Sequence, residues 1–403
     1  MLRKPKISDM KYLAILIISL FIFGCNNTIN DREGTASINL VENMNNKIDL
    51  TLSDFADEIN YIPFETNPGC IIDQGAHVLA FEQFYLVGEG HQDLMKFDLQ
   101  GNYLGIFAKY GQGPGEYSNI NGLYGDEEIG ITIIFDAIGK RLLYYNLSGA
   151  FLKSVEIPIR PSGLQMISPT LFVGELFYQM ELNSKYYSYF IFDISGEITP
   201  LYSEKKRNKL YDIMVAPNFV KNNDIAYYIP SSFSDTLYQI STNKEITKTL
   251  LNKGDYGVPE NLLYDQKIFQ KEINRFIFFI NVYPGHENNL FIKYYFEGSP
   301  YLGILNIEKN TLEMIKNLTD HKAGGVINDL DGGLEFIPGT KRIGNKWYRM
   351  IWPSELLELK DDKQFLKADI KNAETRARLL ELLSGLKETD NPVIIEVIEK
   401  SIT

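Results

Sequence analysis

Short apolar runs, broken by polar turns, recur along most of this chain at a nearly fixed spacing. The plainest unit is an apolar strand, a turn of the form Asp/Asn-x-x-Gly, and a second apolar strand. It occurs as Asp98-Leu99-Gln100-Gly101 within 94–107, as Asn146-Leu147-Ser148-Gly149 within 142–155, and as Asp193-Ile194-Ser195-Gly196. The three glycines stand 48 and 47 residues apart. An Asp or Asn opening and a Gly closing suit a tight turn, because Gly reaches positive φ without a Cβ clash. Two weaker copies follow at 236–245, with Asn243 near the turn, and at 301–312, the last displaced by an insertion.

Between the hairpins lie further β-like runs at 120–124 and 129–135, at 213–219 and 225–229, and at 276–282 and 290–296. Four short strands in roughly 47 residues is the arithmetic of a propeller blade. No copy carries a 3.6-residue apolar period along its length, so a helical solenoid does not fit. Residues 59–403 have room for about seven such units. Two segments break the pattern, however. Leu262, Leu263, Ile268, Phe269 and Ile273 fall at helical spacing within 259–276, and Leu356, Leu359, Leu379 and Leu383 mark a charged amphipathic helix or helical pair within 354–386. Setting both aside leaves six blades. The run 59–65 has no partner in its own unit, and 392–398 is another orphan, so both are expected to join the last blade with 347–352. Sharing a blade between the chain ends removes exposed edges and ties the ring shut. The expected fold is therefore all-β: a six-bladed β-propeller of four-stranded antiparallel blades, with helical insertions near 259–276 and 354–386.

The chain opens differently. Lys11 precedes the apolar run 12–23, which ends at Gly24-Cys25, and this reads as a secretory signal too short for a comfortable span of about 20 residues. Ile22-Phe23-Gly24-Cys25 is similar to a bacterial lipobox, in which the cysteine becomes the lipidated first residue. Met10-Lys11 offers an alternative translation start. Residues 1–24 are thus expected to be a lipoprotein signal peptide, 25–46 a flexible tether and 47–403 the propeller, with Cys25 the lipid attachment site. Cys70 is then left alone, and a single cysteine reads more readily as a small core hydrophobe than as a nucleophile.

Composition agrees with the pattern. Tyr 25 and Phe 24 are high counts for 403 residues and favour pleated, half-buried surfaces. Without residues 1–24 the formal charge moves from −12 to −15, with 36 basic against 51 acidic residues. Such a surface disfavours nucleic acid and anionic membrane faces as partners.

The runs 59–66 and Phe97-Asp98-x-x-Gly101, the segment Gly111-Gln112-Gly113-Pro114-Gly115-Glu116-Tyr117 and the closing Asn391-Pro392-Val393 together resemble the six-bladed, NHL-like β-propeller lipoproteins common in Bacteroidetes. The resemblance spans roughly 47–400 and rests most on the Gly-x-Gly-Pro-Gly-Glu-Tyr run. It implies the fold and an envelope location, and it implies no reaction.

Candidate chemistry is sparse. Gly111 to Gly115 lacks the Lys-Ser/Thr of a phosphate loop, and Glu116 stands where the third Gly of G-x-G-x-x-G belongs. A rigid interblade crossover explains it better, with Glu116 capping backbone N–H groups and Tyr117 packed between blades. His77, His91, His286 and His321 show no metal-ligand spacing, and no Gly-x-Ser-x-Gly elbow is present. Asp329-Leu330-Asp331-Gly332 begins like a calcium loop but places Gly333 and Thr340 where oxygen ligands belong, so a polar turn is expected. No catalytic, metal or cofactor residue is assigned, and no cofactor is expected.

Topology supplies one positional expectation. In a four-stranded meander the loops between second and third strands share a face with the crossovers. His91, Gln112, Glu116, Tyr117, Arg141 and Phe233 are the candidate ligand face on that basis. The expected function is a membrane-anchored exported lipoprotein that acts as a binding propeller in the cell envelope. Its expected partner is a polysaccharide, a peptide or an envelope protein. The alternative is a metal-dependent lyase or hydrolase with its site at the central channel.

Overall fold

The computed structural model describes residues 36–201, 218–231, 233–259, 261–262, 266–286, 289–316, 324–336 and 341–400. The signal, Cys25, residues 213–217 of one expected strand and His321 lie outside them. The chain first lays down β1 (Ala36–Asn39), the short helix α1 (Leu40–Asn43), β2 (Lys47–Ile48), α2 (Leu52–Phe55) and β3 (Ala56–Pro63). Six sheets then complete a ring. Blade 1 holds β4 (His77–Ala80), β5 (Phe84–Gly88), β6 (Leu94–Asp98) and β7 (Tyr103–Ala108). Blade 2 holds β8 (Gly122–Asp126), β9 (Ile131–Asp136), β10 (Arg141–Asn146) and β11 (Phe151–Glu156). Blade 3 holds β12 (Pro161–Ser168), β13 (Leu171–Leu182), β14 (Lys185–Asp193) and β15 (Ile198–Pro200). Blade 4 holds β16 (Asn218–Asn222), β17 (Ile225–Ile229), β18 (Thr236–Ser241) and β19 (Ile246–Asn252). Blade 5 holds β20 (Phe278–Pro284), β21 (Asn289–Phe296), β22 (Ser299–Asn306) and β23 (Thr311–Ile315). Blade 6 holds β24 (Lys341–Ile343), β25 (Lys346–Ile351), β26 (Val393–Glu399) and, as its last strand, β3.

All five repeat hairpins are the third and fourth strands of their blades. Their central strands read as unbroken apolar runs because each blade is covered on both sides. In β10, Leu143 and Tyr145 pack toward blade 1 while Leu142 and Tyr144 pack toward blade 3. The outermost β11 has a neighbour on one edge only and is exposed along nearly its whole length. One hydrophobic cluster fills each junction between consecutive blades, including that between blade 6 and blade 1. Apolar burial of this kind, worth about 25 cal/mol per Å², holds the ring with no disulfide among the described residues; Cys70 is free and buried among the blade 6 and blade 1 residues.

Closure runs through the two chain ends. Tyr61 pairs with Ile395, and Ile395 pairs with Arg349, so the N-terminal strand completes a sheet whose other three strands come from the C-terminal part. The Gly of each of the first two repeat turns also lies against the neighbouring blade, whereas Gly196 of the third faces open space. An added Cβ at Gly101 would strike the Pro63 carbonyl, and one at Gly149 would lie 2.6 Å from the Phe107 carbonyl oxygen.

Two expectations need correction. The segment expected as tether through residue 46 is part of the fold from residue 36 onward. There β1 pairs in parallel with β19, and β2 pairs in parallel with β23. Ile38 and Leu40 are buried in the blade 4–blade 5 cluster, so a few well-placed apolar residues outweigh the segment's polar composition. The described part of the strand expected at 213–219 belongs to β16, which runs on to Asn222. The helical insertions sit where expected but are more broken: α3 (Gln266–Glu272) passes into a 3-10 turn at Ile273–Arg275, and the second comprises α4 (Pro353–Leu357), α5 (Lys363–Lys367) and α6 (Ala373–Gly385). No helix among the described residues is long and apolar enough to cross a membrane.

Candidate functional site

The Gly111–Tyr117 crossover is built around one carboxylate. Glu116 folds back so that its Oε2 accepts the Gly113 N–H at 2.7 Å. An added Cβ at Gly111 would overlap that same oxygen, and one at Gly113 would come within 2.9 Å of it. An added Cβ at Gly115, whose φ is +72°, would come within 2.7 Å of the Phe151 ring. The glycines thus make room for the glutamate and an aromatic ring, and the run is a self-capped turn.

The candidate ligand-face residues fall into separate groups. Tyr117 is fully buried between blades 1 and 2, and its hydroxyl donates to the Gln92 carbonyl. The Arg141 guanidinium donates to the Glu116 carbonyl oxygen at 2.8 Å and pairs with buried Asp136 at 3.1 Å. Asp136 in turn accepts from Ser118 N and Gly139 N. Glu116, Tyr117 and Arg141 therefore act together as internal staples of the crossover. His91 is exposed beside them, its ring 5.7 Å from that of Tyr110, and Gln112 is exposed at the turn. Phe233 is elsewhere, buried against Phe269 and Phe278 at the blade 4–blade 5 crossover. Tyr117 is fully buried and Phe233 nearly so.

The acidic turn at 329–332 is likewise structural. Asp329 accepts from Ser53 N and Oγ at 2.9 and 2.7 Å and pairs with Lys371 at 2.7 Å. Asp331 instead turns inward, where its Oδ1 accepts from Asn328 and Gly333. Two carboxylates with different partners do not make a shared cation site. Among the described residues no three His, Cys, Asp or Glu side chains are grouped so as to hold a metal ion.

Concavity and converging polar groups coincide instead at the ring seam. Where β3 and β26 meet blade 1, a cleft of about 350 Å³ opens, within the roughly 300–1,000 Å³ of small-molecule sites. Glu396 lies in its wall on β26 and is 5 % exposed. Its Oε2 pairs with Lys346 Nζ at 3.1 Å and its Oε1 accepts from Asn60 Nδ2 at 3.4 Å. Arg378 of α6 continues the chain, donating to Asn60 Oδ1 at 3.4 Å and lying 3.6 Å from Glu58. On the blade 1 side stand Tyr85, Leu99 and Gln100. Tyr85 is fully buried, with its hydroxyl facing the Glu396 carboxylate. Burial, and then the facing Glu396 charge, push that phenol far above its ordinary value.

Three residues farther along β26, Glu399 emerges on the opposite side of the sheet. It is buried and pairs with Arg342 and with His286 Nδ1, both at 2.8 Å. Glu396 ties the closing strand to β25 and β3, and Glu399 ties it to β24 and to blade 5; removing one partner of such a buried pair leaves an uncompensated charge. Sequence reasoning passed over Glu396 and Glu399. The available signal was an ionisable residue set inside the apolar run Val393-Ile394-Ile395-Glu396-Val397-Ile398.

No curated protein matches this chain. Among solved structures, a Bacteroides fragilis NCTC 9343 protein described as a proposed exported protein superimposes with a TM-score of 0.64 at 14% identity, covering 91% of this chain and 100% of that one. A member of the duf4221 family from Bacteroides vulgatus ATCC 8482 matches less fully, with a TM-score of 0.43 at 12% identity over 64% of this chain and 84% of that one. The first likeness is one of fold. A family model matches residues 35–397, and the chain belongs to the family described as domain of unknown function DUF4934.

Proposed function

We propose that the protein is an exported, lipid-anchored binding module of the cell envelope, which holds a small polar ligand or segment at its ring seam. The observation that carries the reading is the seam cleft. It is the place where a cavity of ligand size, a buried carboxylate and two cationic side chains converge. Its walls come from the N-terminal strand, the C-terminal strand, the α6 insertion and blade 1, so an occupant would contact parts far apart in sequence. The apolar run before Cys25 supports export and anchoring, and the Bacteroides fragilis protein of the same fold is itself described as exported.

Two measurements test the reading. Wild type is expected in the membrane fraction and Cys25→Ser in the soluble fraction; equal distribution of both would remove the anchor. A thermal-shift screen of saccharides, short peptides and organic acids is expected to yield a stabilising class whose effect is weakened by Gln100→Ala. A screen with no stabilising class, or with one indifferent to that change, would remove the cleft as the site.

A further inference from the structure

We infer that blade 5 carries a separate, apolar binding site, which takes one compact hydrophobic group about the size of a benzene ring. A cavity of about 130 Å³ lies there, between the blade and the N-terminal segment that crosses it. Leu50 and Phe55 come from that segment, and Leu290, Phe291 and Ile304 come from β21 and β22. Leu290 and Phe291 are buried, whereas Leu50, Phe55 and Ile304 are half-buried, so the cavity reaches from the core to the surface. It shares no lining residue with the seam cleft, and the two sites stand or fall separately.

The chemistry of the occupant follows from where the polar lining groups are already engaged. Asn289 Oδ1 accepts from Asn306 Nδ2 at 2.8 Å, and the Asn289 carbonyl oxygen accepts from Gly285 N and Asn222 Nδ2 at 3.1 and 3.0 Å. His286 Nδ1 is held by Glu399 at 2.8 Å. What the lining offers is therefore mainly carbon surface. A charged molecule would give up hydration there without recovering it, whereas an apolar one gains by leaving water. Size follows from the volume. A cavity of about 150 Å³ lined by Leu, Ile and Phe stays dry and takes benzene, and this one has the same residue types and nearly that volume. The rings of Phe55 and Phe291, 6.1 Å apart between centroids and inclined at 54°, supply aromatic surface for the contact.

The test uses the full chain in detergent and follows fluorobenzene by fluorine NMR relaxation and saturation transfer. Benzoate, the same ring with a charge, and N-acetylphenylalaninamide, the same ring on a peptide backbone, form the comparison arms. Fluorobenzene is expected to bind wild type. Ile304→Phe and Leu50→Trp enlarge the lining from β22 and from the N-terminal segment, and each is expected to weaken binding roughly ten-fold or more, because close packing leaves no room for the ring. Micelle uptake is common to all variants, so the difference from wild type isolates the cavity. The two substitutions lie on separate elements, and urea unfolding shows that each variant is folded; a folding defect in one leaves the other to decide. Binding of N-acetylphenylalaninamide, lost in the same variants, would uphold the site and name the side chain of a partner as its source; fluorobenzene binding without it would uphold the site for a free molecule. Benzoate binding as tightly as fluorobenzene would overturn the apolar assignment. Fluorobenzene uptake no greater than that of the micelles, or binding unchanged in the folded variants, would overturn the site.

Discussion

Replacing Asn391 by Ala should loosen the ring at its seam, and the structure sets the size of the effect. Asn391 is 3 % exposed and sits just before β26, where the chain returns from the helical insertion. Its amide oxygen accepts the Ile72 N–H at 2.9 Å, and its amide nitrogen donates to the Glu65 and Cys70 carbonyls at 2.6 and 2.7 Å. One side chain thus stitches the crossover from blade 6 into blade 1 to the closing strand. Alanine would leave one donor and two acceptors behind, each costing about 1–3 kcal/mol if it stays buried and dry. Glu65 O keeps a contact from Cys70 Sγ at 3.2 Å, and water entry would relieve part of the remainder. A net loss of roughly 3 kcal/mol is expected. Asn391→Asp should cost at least as much although it preserves shape, because a carboxylate oxygen would replace the donor against two carbonyls. Urea unfolding followed by the fluorescence of Trp347 and Trp352 reads the midpoint, with an unchanged slope marking a true stability change. Hydrogen exchange at the Ile72 amide reads the staple directly. A loss below about 0.5 kcal/mol with Ile72 protection intact, or an Asp variant as stable as wild type, would refute the account.

Three further outcomes follow from other parts of the fold. Leu40→Ala should cost about 2–5 kcal/mol, as for a buried leucine elsewhere, because Leu40 is fully buried at the blade 4–blade 5 junction; a segment acting only as a tether would show no change in urea midpoint. Glu116→Ala should cost about 1 kcal/mol through the lost cap on Gly113. Gly111→Ala should cost about 1–3 kcal/mol by overpacking, and the double variant should cost less than the sum, because removing the carboxylate makes room for the methyl; additive losses in a double-mutant cycle would contradict this. Burial raises the Asp329 carboxyl, but hydrogen bonds from Lys371 and Ser53 outweigh it and hold the group down at about 2, below its ordinary 3.8. The folded value lies below the unfolded one, so this stabilisation is present above the ordinary value and is lost as pH falls toward about 2. Asp329→Asn should therefore flatten the acid limb of stability against pH by roughly 1 kcal/mol after solvent screening, and an unchanged limb would count against it.

Much of the architecture was legible in the residues themselves. A blade is a local object. Its strands are consecutive and its turns short, so the Asp98, Asn146 and Asp193 turns and their flanking apolar runs declare it in linear order. Their spacing then counts the blades, and the orphan runs around Tyr61 and Ile395 announce how the ring is closed. The structure added what depends on neighbours distant in sequence. That Ile38 and Leu40 belong to the fold follows from an uncovered edge on β19 and a gap beside blade 5, which no local pattern records. The same holds for the seam. Asn60, Tyr85, Lys346, Arg378 and Glu396 are each unremarkable where they stand in the chain, and ring closure alone brings them to one cavity. Backbone geometry is dictated by near neighbours, whereas a binding surface is assembled from side chains that only the completed circle places together.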